Sequence, residues 1–107
     1  MPATLIIPEH IKTLDQLLGQ DYQIELCGKS LVVECWIDGA MPRKGGVFVY
    51  GGVFEEDKEL ELCECHGQAS RFVSEDTPDE QMYKIAISQM NRAIIRARRY
   101  LKERPNE

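Results

Sequence analysis

The chain is predicted to fold as a single α+β domain. Its antiparallel β-sheet of about four strands (two hairpins) packs against a long C-terminal helix, with a short N-terminal helix beside it. Three observations predict this. Residues 22–37 place apolar side chains at every second position on both sides of a Gly-Lys pair, the pattern of two half-buried strands joined by a tight turn. Residues 47–66 read as a second hairpin. From Thr77 the period changes to that of a helix and holds to the last turns of the chain. At 107 residues and 43% hydrophobic, the chain can close one core and is too short for two, so residues 1–107 form one domain.

The elements follow in order. Leu5, Ile6 and Ile7 suggest a short extended piece. Thr13 with Gln16 three positions on has the form of a capping box, and Leu14, Leu17 and Leu18 recur at helical spacing before Gly19, so a short helix is expected there. In the first hairpin Tyr22, Ile24 and Leu26 share one parity, and Leu31, Val33, Cys35 and Ile37 continue the apolar face. A Gly28-Lys29 turn of type II′ would pair Ile24 with Val33 and Leu26 with Leu31. Cys35 then faces the core, while Cys27 faces outward with Glu25 and Trp36.

Residues 38–46, DGAMPRKGG, read as a loop. Val47 to Glu55 and Glu59 to His66 form the second hairpin, turning near Asp57 and Lys58. The adjacent Gly51 and Gly52 are expected to mark a bulge or bend. Residues 68–76 are expected to be a connection with at most a short extended piece at Arg71 to Val73. Thr77-Pro78-Asp79-Glu80 then gives a threonine N-cap, proline in the first turn and glutamate three positions on. On a helical projection Met82, Ala86, Met90, Ala93, Ile94, Ala97 and Leu101 form one arc, and the helix should end near Glu103, ahead of Pro105.

The net charge of −5 is unevenly spread. Residues 1–91 hold 16 acids against 7 bases, a net of −9, whereas residues 92–107 hold 6 bases against 2 acids, a net of +4. No apolar run approaches the roughly 18 to 20 residues that span a bilayer, so no membrane association is expected. The opening MPATLIIPEH lacks a basic start and has an early proline, which does not fit a secretory signal. A cytoplasmic protein with reduced thiols is the expectation.

The stretch LCECHG, residues 62–67, concentrates Cys63, Cys65 and His66. Zinc-binding thiolates usually come as a pair with two residues between them, whereas one residue separates Cys63 from Cys65, and on a regular strand His66 has the opposite parity to both cysteines. No metal ligand set and no cofactor are assigned, and the two cysteines are read as small apolar fillers on a strand. A Cys/His metal-stabilised module is kept as an alternative. A reactive thiol is not expected either, because Glu61 and Glu64 would raise rather than lower its pKa. With no phosphate-binding glycine loop, nucleophile elbow or paired-histidine motif, no enzymatic activity is expected.

Two surfaces remain as binding candidates. The acidic hairpin carries Glu55, Glu56, Asp57, Glu59, Glu61 and Glu64, a ridge that suits a protein partner with a basic surface or imitates a phosphate track. The terminal helix face carries Arg92, Arg96 and Arg99, with Ile85 and Ile95 expected to lie exposed among them. The expected function is that of a non-enzymatic binding protein, an inhibitor or accessory factor whose acidic hairpin occupies a basic cleft. The alternative is a nucleic-acid-binding module using the basic helix, which the anionic body disfavours. Self-association of the cationic helix with the anionic hairpin would give a homo-oligomer.

Overall fold

The computed structural model describes residues 5, 7–18, 20–38, 45–57, 59 and 62–103. Their order is α1 (Leu14–Leu18), β1 (Tyr22–Leu26), β2 (Lys29–Asp38), β3 (Gly46–Asp57), β4 (Leu62–Ser74) and α2 (Asp79–Glu103). The four strands form one antiparallel sheet in the order β1-β2-β3-β4. Both helices and the segment before α1 lie on one side of it: the Tyr83 hydroxyl donates to the Ile11 carbonyl at 2.9 Å, and the Cys35 thiol points at the Leu17 carbonyl at 3.9 Å. The core between the layers includes Leu17, Leu31, Val33, Val49, Val53, Met90 and Ile94.

The capping box at α1 forms as the sequence predicts. Gln16 N donates to Thr13 Oγ1, and the Gln16 side chain accepts from the Lys12 and Thr13 amides. Leu5 and Ile7 lie outside any strand, and Ile6 and Gly19 lie outside the described residues, as does most of the loop at 38–46. At α2 the first intrahelical bond runs from Met82 N to the Pro78 carbonyl, one position later than a Thr77 cap requires. Thr77 instead uses its amide to close a turn onto the Ser74 carbonyl.

The first hairpin turns at Cys27-Gly28, not Gly28-Lys29. Both turn residues have positive φ, 53° and 78°, which makes a type I′ turn and pairs Ile24 with Leu31 and Leu26 with Lys29. The shift from the expected register is two residues, so every side chain keeps its face. Cys35 is buried and Cys27 exposed.

The second hairpin is longer than expected. β3 starts at Gly46 and offers partners as far as Ser74, so residues 68–74 extend β4 and do not form a connection. Ile85, expected to lie exposed, belongs to the core. It is only 7% exposed and shares that core with Val73 of β4.

Gly51 and Gly52 sit in regular register opposite Ala69 and Gln68, without the expected bulge. Gly51 serves a different purpose: a Cβ there would lie 2.5 Å from the Gln89 carbonyl and the Met90 amide. At Gly67 a Cβ would lie 2.4 Å from the Ala93 carbonyl oxygen and 2.6 Å from the Ala97 amide. Helix backbone therefore rests on strand backbone at Gly51, against Gln89 and Met90, and at Gly67, against Ala93 and Ala97.

The bulge lies in β4. Val53 pairs with Gly67 and Phe54 with Cys65, which leaves His66 as the extra residue. From Val73 back to Gly67 the odd-numbered residues face the helix. Beyond His66 the order reverses, and Cys65 and Cys63 turn away from it. The expectation that these cysteines fill the core is thereby corrected: both are exposed, while His66 is buried.

Candidate functional site

On the side of the sheet away from the helices, β2 presents Val32, Glu34, Trp36 and Asp38, and β3 presents Phe48, Tyr50, Phe54 and Glu56. β4 adds Cys63, Cys65, Gln68, Ser70 and Phe72, and β1 adds Gln23 and Glu25. Among the described residues no helix or strand covers this face.

Its center is aromatic. Trp36 stacks on Tyr50 with ring centroids 5.2 Å apart and planes 8° from parallel, and Phe54 flanks Trp36 at 6.1 Å. Phe48 lies 6.0 Å from Tyr50 and meets Phe72 edge-on at 5.1 Å. The five rings cross three strands and include every phenylalanine and the only tryptophan of the chain. They are half-buried, shielded by one another. Gly52 lies beneath them, where a Cβ would meet the rings of Phe54 and Trp36. Sequence reasoning placed Trp36 on this face but did not see the platform. The strand periodicity held the signal: Trp36, Phe48, Tyr50 and Phe54 all take the parity opposite to the core residues of their strands.

The face is also anionic. Glu25, Glu34, Asp38 and Glu56 belong to it, and no lysine or arginine does among the described residues. Partial burial raises the Glu34 carboxyl above the usual range, as do its hydrogen bond with Asp21 and the neighbouring charges of Asp21 and Glu56. Local desolvation and the charges of Glu56 and Glu34 likewise push the Cys63 thiol up, against any nucleophilic role.

Comparison with known proteins supplies no identity. No protein-family model matches the chain, no curated protein is significantly similar to it, and no solved structure matches it significantly.

The acidic hairpin of the sequence reading is divided between the two sides of the sheet. Glu56 joins the aromatic face. Glu55 points the other way, where its Oε1 is 2.8 Å from His66 Nε2 and its Oε2 is 3.2 Å from Lys29 Nζ. The hydrogen bond from His66, then the Lys29 ammonium, holds the Glu55 carboxyl below its ordinary value. Glu64 is the cross-strand partner of Glu55 and accepts a 3.4 Å bond from the Tyr100 hydroxyl. Glu59 is exposed, the Asp57 side chain is not described, and Glu61 lies outside the described residues. His66 and the two cysteines face opposite ways, so Cys63 and Cys65 do not converge with His66 on one point.

On α2, Arg92, Arg96 and Arg99 are exposed, as is Ile95 at 56%. The exposed pair expected from Ile85 and Ile95 is reduced to Ile95, because Ile85 belongs to the core. Arg96 also has an internal role: its guanidinium donates to the Gln68 carbonyl of β4 at 2.7 Å.

Proposed function

We propose that the chain is a non-enzymatic cytoplasmic binding protein, an inhibitor or accessory factor whose open sheet face and adjoining acidic hairpin dock a protein segment rich in arginine or lysine. The observation that carries this reading is the coincidence on one face of five packed aromatic rings and four carboxylates, with no lysine or arginine among the described residues. Rings supply flat apolar area and attract cations through their faces, and the carboxylates around them steer and select a cationic partner. A cation placed near Glu34 and Glu56 also relieves the repulsion that raises the Glu34 carboxyl.

The rival is nucleic acid. An aromatic platform on an open sheet would stack bases, but such platforms work beside cationic tracks that hold the phosphates. Here the platform is ringed by acids, and the arginines of α2 lie on the opposite side of the molecule.

The only tryptophan is part of the platform, so its fluorescence reports occupancy. Titration with an arginine-rich peptide should change the Trp36 emission saturably. Glu34→Gln with Glu56→Gln, or Tyr50→Ala with Phe48→Ala, should weaken that response. Reversing Glu56, Asp57 and Glu59 to lysine should slow association. The reading fails if these variants bind normally while Arg92→Glu with Arg96→Glu and Arg99→Glu abolishes a salt-sensitive complex with duplex DNA or RNA.

A further inference from the structure

A cluster on the helix side of the second hairpin lies off the aromatic face. Glu55, Glu64 and His66 each bring one ligand atom into a group whose members lie within 4.8 Å of one another. Glu64, which accepts from the Tyr100 hydroxyl, stands directly opposite Glu55 in the β3–β4 ladder. Two carboxylates facing each other across a strand pair repel.

His66 sets this group apart from a surface patch of acids. Its side chain is wholly buried, and it stacks on Tyr100 with centroids 5.4 Å apart. The bulge turns its Nε2 toward the carboxylates, and Nδ1 has no protein partner, so Nε2 is the ring's one polar engagement with the protein. We propose that Glu55, Glu64 and His66 bind a divalent transition-metal ion of the Zn2+ class, with water completing the coordination.

The donor set suits such an ion. One imidazole nitrogen and two carboxylate oxygens leave a fourth position for water, and the two carboxylates balance the charge of the ion. With metal–ligand bonds of about 2.0 to 2.2 Å, tetrahedral ligand atoms lie roughly 3.3 to 3.6 Å apart. The 2.8 Å contact between His66 and Glu55 must therefore open slightly, and the wider separations must close. The imidazole is the fixed anchor. Glu55 is one-third exposed and Glu64 exposed, so these two can adjust. Lys29 would give up its contact with Glu55 to the ion. The Tyr100 hydroxyl, already bonded to Glu64, would orient that ligand, so the bound ion would tie the hairpin to the last turns of α2.

The test is calorimetric titration of the full chain with Zn2+ on a Cys63→Ser and Cys65→Ser background, which removes the two exposed thiols of β4 as competing ligands. The expected result is one equivalent bound, a shift of the His66 ring resonances, and a higher melting temperature in the presence of the ion. Glu64→Gln should weaken binding at least about tenfold. Because Glu64 is exposed, the apo protein should keep its melting temperature. Glu55→Gln should weaken binding similarly. Unchanged affinity in both glutamine variants would overturn the site, as would binding that disappears with the two thiols or an absence of binding at a Zn2+ concentration of about 0.1 mM.

Discussion

At the scale of single residues, two threonines that look alike in sequence behave differently. Thr13 completes a reciprocal cap with Gln16, whereas Thr77 stands one position too early for α2, and its amide bonds back to Ser74. Thr13→Ala should therefore cost about 1 kcal/mol and Thr77→Ala less than about 0.5 kcal/mol, compared by denaturant midpoints at fixed slope. Thiols divide in the same way by environment. Burial, then the Glu34 charge, pushes the Cys35 thiol up to about 11 from an ordinary 9.0. A thiol reagent at neutral pH should modify Cys27, Cys63 and Cys65 in the folded protein and reach Cys35 only in denaturant. Above pH 9 the unfolded chain loses the Cys35 proton before the folded one does. Stability should therefore fall as pH climbs from about 9 toward 11, and Cys35→Ala should remove that component of the pH profile.

At the scale of elements, the glycines of β3 and β4 decide how closely the layers approach. A Cβ at Gly67 meets helix backbone, which cannot rotate aside as a side chain can. Gly67→Ala should cost about 3 kcal/mol or more, read as a drop in denaturation midpoint. Gly28→Ala, which meets nothing within 4 Å but sits at φ +78°, should cost only about 1 kcal/mol. The strands, the long helix and most of its buried arc were legible because period 2 and period 3.6 are written in the residues themselves. The bulge was not. A glycine pair such as Gly51-Gly52 and a single glycine such as Gly67 give the same kind of local signal, and only the assembled fold shows that Gly51 and Gly67 admit the helix backbone while the extra residue is His66. Because parity reverses at His66, the two cysteines read as small apolar fillers are instead exposed. The aromatic platform was missed for a related reason: it needs strand order and register to bring Phe72 beside Phe48 and Trp36 beside Tyr50.

At the scale of the whole molecule, charge and shape divide the protein into an anionic aromatic side and a cationic helix side. If the aromatic side docks a basic partner, raising the salt concentration should slow association much more than it speeds dissociation, because screening weakens steering before it weakens packed contacts. Stopped-flow Trp36 fluorescence would separate the two rates. The two glycine contacts bear on this as well. Where strand backbone meets helix backbone at Gly51 and Gly67, no side chain lies between them that could shift, so the platform would meet such a partner already in its bound shape. The ordering entropy of the complex then falls almost wholly on the incoming segment. Constraining that segment, for example by cyclising it, should tighten binding, whereas further stiffening of the platform should bring no gain.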